Sequence, residues 1–226
     1  MLEETKLMNL KKELMEYATL VESMVDQSVA GLMFKNAELL SNVIDLDEPR
    51  ANAFEIELDE LCISVIAQHQ PAGKALRTIL MIMHINSTLE RIGDHAVTIA
   101  ESGLFLIERP PVKPLIDIPR MADVVKTMIS DSITSFINED AGLARSVCER
   151  DNIVDGLRNQ IMRELITFMT SDPSTIERAL QIMKISSNLE RIADLTTNIC
   201  EDVIYMVKGQ VIKHHKDEKK VPGNGR

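Results

Sequence analysis

The stretch LERIGD, Leu89–Asp94, returns as LERIAD at Leu189–Asp194, a hundred positions later. The repetition extends well past six residues. LMIMHINSTLERIGDHAVTIAES from Leu80 aligns with LQIMKISSNLERIADLTTNICED from Leu180 without a gap over 23 positions, 12 of them identical. A match of that length points to a tandem duplication, and so to two similar units packed with pseudo-two-fold symmetry.

Around the first copy, Ile82, Ile85, Leu89, Ile92 and Ala96 recur at three- and four-residue steps, which makes one apolar stripe on an α-helix. The same periodicity runs through almost the whole chain of 226 residues, interrupted where Pro and Gly fall. Composition agrees: the chain is 45% hydrophobic, with two Tyr, five Phe and no Trp, while Met, Leu, Ile and Ala are plentiful, which favours helices over sheets. The fold class expected is all-α, two tandem three-helix bundles related by a pseudo-two-fold axis.

The breaks set the expected boundaries. A first helix runs from about Glu3 to Leu46 and stops before Asp47-Glu48-Pro49, a second from Arg50 to Gln70, and a third from Lys74 to Glu108. Pro71 disfavours helix at the residue before it. ERPPVKPLIDIP, Glu108–Pro119, carries four prolines and reads as a semi-rigid linker. Helices then resume over Arg120–Asn138, Gly142–Thr170 and Thr175–Lys208. This gives a first bundle over residues 1–109, a linker over 110–119, a second bundle over 120–208 and a basic, frayed tail over 209–226.

A formal charge of -10 argues against nucleic acid as a partner and suits divalent cations or a basic protein surface. Cys62, Cys148 and Cys200 are odd in number and widely spaced, suggesting neither a disulfide framework nor a thiolate zinc site, and a reducing cytoplasm is the simplest compartment. The opening residues lack the features of a signal peptide. No apolar run approaches the ~18 residues needed to span a bilayer, so a membrane would be met only through partners.

Each copy of the phrase carries Glu and Asp four apart. At about 100° per residue, Glu90 and Asp94 lie about 40° apart with Glu101 between them, roughly 140° from the apolar stripe. Glu190, Asp194 and Glu201 repeat the pattern. A solvated acidic face is the plainer reading of any one such pair. Like charges four apart, however, cost a few tenths of a kcal/mol, and Arg91 and Arg191 lie too far round to neutralise them fully. A multivalent cation would remove the repulsion, and carboxylates suit Mg²⁺, Ca²⁺, Mn²⁺ or iron. One helix supplies too few ligands, so others must come from a neighbour: Glu55 and Asp59 on the second helix, Glu22 and Asp26 on the first, Asp151 and Asp155 on the fifth. Aligned with Glu55 and Asp59 the fifth helix has Arg158 and Met162, so the first half is the better equipped.

His84 and His95 give way to Lys184 and Leu195 in the second copy, so histidine is not part of a duplicated site and reads as filling polar positions at a helix edge. His214 and His215 in the tail could hold metal adventitiously. No P-loop and no nucleophile arrangement is present, and the Glu-x-x-His motif of di-iron carboxylate oxidases does not occur, which points away from an enzyme. A metal-free helical scaffold, with the acids as a docking face for a basic partner, is the competing reading.

At HQPAGKALR (His69–Arg77), LERIGDHAVTIAE (Leu89–Glu101), LERIADLTTNICE (Leu189–Glu201) and VIYMVKG (Val203–Gly209) the sequence resembles the PhoU family of phosphate-signalling regulators, over nearly its whole length. The resemblance implies two related three-helix bundles, often as a homodimer. It further implies a non-enzymatic negative regulator, an adaptor between the ATPase subunit of the phosphate-specific ABC transporter and the phosphate sensor histidine kinase. Some members hold metal clusters, so iron, manganese, magnesium or zinc is the implied cofactor. Carried over, the metal candidates are Glu90, Asp94, Glu190 and Asp194 with Glu55 and Asp59 from the neighbouring helix, followed by Glu101, Glu201, Asp151 and Asp155. The sequence departs from the family pattern at Lys74-Ala75, where an Asp is common, at Ala193 in place of Gly, and at Arg158 and Met162.

Overall fold

The computed structural model describes residues 2–208, with side chains from Glu4 onward, and over that span it is helical, with no strand. The basic tail with His214 and His215 lies outside the described residues. Six long helices and one short one follow in order: α1 Leu2–Met33, α2 Ala37–Asn42, α3 Glu48–His69, α4 Gly73–Ile107, α5 Asp117–Asn138, α6 Ala141–Ser171 and α7 Ile176–Lys208. Helices α1, α3 and α4 pack as one bundle, α5, α6 and α7 as another, and the bundles meet through α4 against α7 and α1 against α5.

The stripe anticipated on α4 is the centre of the first core: Ile82, Ile85, Leu89, Ile92 and Ala96 are fully buried. They face Leu14, Val21 and Met24 of α1 and Leu58 of α3 in one continuous apolar cluster. Ile182, Ile185, Leu189 and Ile192 do the same on α7, against Val125 and Met128 of α5 and Val154 and Ile161 of α6. Burying each such side chain is worth about 1.5–3 kcal/mol, so the two motif helices anchor their bundles.

The first turn of the chain is not where sequence placed it. Helix α1 ends at Met33, and Asp47-Glu48-Pro49 lies inside a rod rather than at its end. Asn36 N–H donates to the Gly31 carbonyl at 2.8 Å and Lys35 N–H to that of Leu32 at 3.3 Å, which closes α1 with Lys35 in the left-handed region (φ 52°). Asn36 Oδ1 then accepts from the N–H groups of Glu38 and Leu39 and starts α2. Glycine usually marks such an ending, and here a lysine holds the position. Helix α5 ends alike: Glu139 is left-handed (φ 55°), and Asp140 accepts from Gly142 and Leu143 to open α6.

After α2 the chain passes through a π-helical turn, Val43–Asp47, into α3 without leaving the rod. There the wider hydrogen-bonding step, Glu48 N–H to Val43 carbonyl, takes up one extra residue and opens the ladder just before Pro49, which has no N–H to give. Buried Val43 and Ala51 correspond to buried Val147 and Val154 on α6, with one residue more between them in the first half. Thus α2, the π turn and α3 together are the counterpart of α6.

The bundles face each other antiparallel. His95 Nδ1 lies 2.8 Å from Asn188 Oδ1, His84 Nε2 3.1 Å from Asp202, and Lys184 Nζ 3.9 Å from Glu101. The sum of partner numbers is nearly constant along this seam, as two helices crossing at a pseudo-dyad require, and the two motifs lie at its middle. Both histidines therefore join the halves rather than merely filling a helix edge. The segment between α4 and α5 is shorter than the sequence suggested, because α5 already begins at Asp117 and carries Pro119 in its first turn, where a missing N–H costs nothing. It is tied to the second bundle: Arg178 Nη1 donates to the Pro110 carbonyl at 2.7 Å, Lys113 pairs with Glu164, and Val112 and Leu115 pack on the core.

Candidate functional site

Burial of the α4 stripe turns Glu90 and Asp94 to the edge of the α3–α4 groove, Glu90 half-buried and Asp94 exposed. Across the groove stands Glu55 of α3. Burial first, then the charges of Asp94 and Glu55, hold the Glu90 carboxyl above the usual range, against a weaker opposite pull from Arg91. Three acids thus share one field with only a peripheral cation.

Behind them lies Tyr17 of α1, fully buried and stacked on Phe54 at 5.7 Å between ring centroids. Its hydroxyl has no hydrogen-bond partner, and burial together with the charges of Glu55, Glu90 and Asp94 pushes its ionisation up. Asn86, almost wholly buried, donates to the Glu55 carbonyl at 2.8 Å and to Asp59 Oδ1 at 3.0 Å, while its own Oδ1 is unpartnered. Asn86 therefore fixes α3 on α4 and commits one oxygen of Asp59. Two orphaned buried polar atoms beside three acids are unusual in a native fold, where buried polar groups are nearly always paired.

The second copy is built on the same scaffold with different charges. Burial first, then the charge of Asp194 on Glu190 and that of Asp155 of α6 on Asp194, hold both carboxyls above their usual range, while Arg158 of α6, which replaces Glu55, pulls both down. Arg158 Nε is buried and without a partner. Ser186 stands where Asn86 would recur and bonds to its own helix, and the counterpart of Tyr17 on α5 is buried Met121.

The remaining candidates lie elsewhere. Glu101 and Glu201 share a helical face with their motif acids but sit 11 residues on, about 16 Å along the axis. Glu101 approaches Lys184, and Glu201 and Asp151 lie near Cys148. Asp26 pairs at 2.5 Å with Lys126 of α5, which removes the Glu22–Asp26 pair from the α3–α4 groove. Among the described residues, no three carboxylate, imidazole or thiol side chains stand close enough to grip one ion as they are placed. The donor chemistry in the first groove is nevertheless that of a hard cation site: carboxylate oxygens, an amide oxygen and no competing cation between them.

Tyr17 and Asn86 were not picked out from sequence. Both sit on otherwise apolar helix faces, and a polar residue on such a face was the available signal.

Comparison with known proteins agrees with this geometry. The PhoU domain model matches twice, over residues 14–103 and 118–203, one match per bundle. A phosphate-specific transport system accessory protein PhoU homolog of Aquifex aeolicus is 39% identical over 219 residues, covering 97% of this chain and 96% of the relative. The phosphate-specific transport system accessory protein PhoU homolog 2 of Thermotoga maritima is 34% identical, covering 94% of this chain and 90% of the relative. The crystal structure of PhoU from Pseudomonas aeruginosa superposes with a TM-score of 0.86 at 33% identity, covering 92% of this chain and 99% of that one. PhoU from Streptococcus pneumoniae gives 0.86 at 25% identity, covering 94% and 100%. With two family domains on two duplicated bundles, the repeated acidic phrase at the heart of each, the chain belongs to the PhoU family.

Proposed function

We propose that this protein is a negative regulator of phosphate uptake and phosphate-starvation signalling. In this reading it is an adaptor between the ATPase subunit of a phosphate ABC transporter and the phosphate sensor histidine kinase, its acidic grooves shaped by bound metal. Membership of a family whose relatives are phosphate transport accessory proteins supports the transport link. No helix among the described residues is long and apolar enough to cross a membrane, consistent with contact through partners. The observation that carries the metal part is the uncompensated trio Glu55, Glu90 and Asp94 in front of the orphaned Tyr17 hydroxyl and Asn86 oxygen.

A resident cation, iron, manganese, magnesium or zinc, would supply positive charge to the groove. Glu55, Glu90 and Asp94 would hold it, with Asp59 positioned by Asn86; in the second half Asp155, Glu190 and Asp194 would do so in competition with Arg158. Rotation of the exposed carboxylates toward the groove would be required. Elemental analysis of untagged protein, beside the variant with Glu90, Asp94, Glu190 and Asp194 changed to their amides, tests this: stoichiometric metal in the native protein alone is expected.

A second reading, a metal-free docking face, is favoured by the separation of the acids in the positions they occupy. Pull-downs with the ATPase subunit and the kinase, with and without chelator, distinguish the two. Binding that the amide variants lose only in the presence of metal supports the first, and loss in chelator as well supports the second.

A further inference from the structure

Two of the three cysteines belong to no feature described so far. Cys148, half-buried on α6, and Cys200, buried on α7, are neighbours across the packed α6–α7 seam. Cys148 Sγ also lies 4.0 Å from the Thr197 carbonyl, one turn before Cys200 on the same helix. The antiparallel register that sets Arg158 beside Glu190 places Cys148 beside Cys200, ten residues away on each helix. Cys62 is buried alone in the other bundle.

We propose that Cys148 and Cys200 form an oxidisable dithiol, which a hydroperoxide converts to an intrachain disulfide joining α6 to α7. Cys148 is the group that an oxidant reaches, because it alone of the pair is partly exposed. Its sulfur attacks one peroxide oxygen, the O–O bond breaks, and the other oxygen leaves with a proton as water, giving a sulfenic acid on Cys148. The Cys200 sulfur then attacks that sulfur, the S–O bond breaks, and the hydroxyl departs as a second water with the Cys200 proton. One hydrogen peroxide is reduced and two thiols are oxidised, so no further reactant is needed. At the corresponding places in the first half stand Ile44 and Ala100, so the device is confined to one bundle.

The test is oxidation of the folded, full-length protein with hydrogen peroxide, then denaturation with thiol alkylation, intact-mass measurement and non-reducing peptide mapping. Expected are the loss of two of the three free thiols, a mass lower by two hydrogens, a peptide pair linking Cys148 to Cys200, and full reversal by a dithiol reductant. Cys200→Ser is expected to stop at a Cys148 sulfenic acid trapped by dimedone, whereas Cys62→Ser leaves the linkage unchanged. Retention of all three thiols by the folded native protein, over-oxidation of Cys148 without a link, or a link through Cys62 or between chains would each overturn the proposal. None of these readouts depends on metal or on the adaptor role.

Discussion

The two acidic grooves differ less in backbone than in how each deals with its own charge. In the first half Glu55 faces Glu90 and Asp94, and Arg91 only touches the edge of their field. In the second, Arg158 takes the place of Glu55 while Asp155 adds an acid, so a cation belonging to the chain sits among the carboxylates. The layer behind diverges too: polar Tyr17 and Asn86 in one half, Met121 and Ser186 in the other. Duplication has kept the scaffold and the motif, and has left the acids of one copy facing another acid, Glu55, and those of the other facing Arg158. Whatever the first groove meets, it meets with more unbalanced charge.

The comparison extends to packing, where the largest effects are expected. A Cβ on Gly31 would lie 2.6 Å from Leu40 Cγ, whereas the corresponding pair in the second half is Ser135 and Ala144. Gly31→Ser should therefore cost about 2 kcal/mol by overpacking, and the cost should vanish in a Leu40→Ala background; denaturant melts of the four proteins decide it. An additive double variant would break the equivalence of the two corners. Next comes Tyr17→Phe in chelator, expected to stabilise by about 1 kcal/mol through removal of an unpartnered buried hydroxyl. No gain in the melt would mean that the hydroxyl has a partner, such as an ordered water.

Removing Arg158 should be milder on stability but plain in titration. Arg158→Gln is expected to lose about 0.5–1 kcal/mol and to raise the Glu190 and Asp194 carboxyls further, as followed by NMR. Arg158→Glu, which recreates the first groove in the second, should gain cation binding by calorimetry if the metal reading holds. The smallest effect concerns the motif itself. Glu90→Gln and Glu190→Gln should each stabilise the metal-free protein by about 0.3 kcal/mol, because burial and like charge outweigh the pull of Arg158 on Glu190 as they outweigh that of Arg91 on Glu90. The pH dependence follows from the same shifts. The folded protein holds protons on Glu90, Glu190 and Asp194 more tightly than the unfolded chain does. Their ionisation therefore lowers stability as pH rises through the carboxylate range, and stability is recovered as pH falls back through it. Melts across that range should show this slope flattened in the variant carrying all three amides.

Much of this was legible because burial imposes a period. The α4 stripe and its copy on α7 could be read residue by residue, and so could the substitution of Arg158 for Glu55, since a duplicated helix keeps its rotational phase. The turn after α1 could not, because Lys35 occupies a left-handed position that glycine would have flagged. Pro49 misled in the opposite sense: proline reads as a stop, and only the hydrogen-bond pattern of a π turn shows how a rod continues past it. Glu101 and Glu201 illustrate a different limit, since a wheel projects away the axis along which they are separated from their motifs. Tyr17, Asn86 and the Cys148–Cys200 pair depend on which helices become neighbours, and no single helix carries that information.

The π turn at Val43–Asp47 bears on how such chains tolerate changes in length. Because it absorbs one residue and returns α3 to the phase that α6 keeps without it, deleting a single residue there would leave a plain α-helix with the apolar faces on both sides still turned inward. The same deletion in the middle of α4 would swing every later side chain by about 100° and carry the acids toward the core. The two bundles can therefore drift apart in length at this one place while their grooves stay aimed.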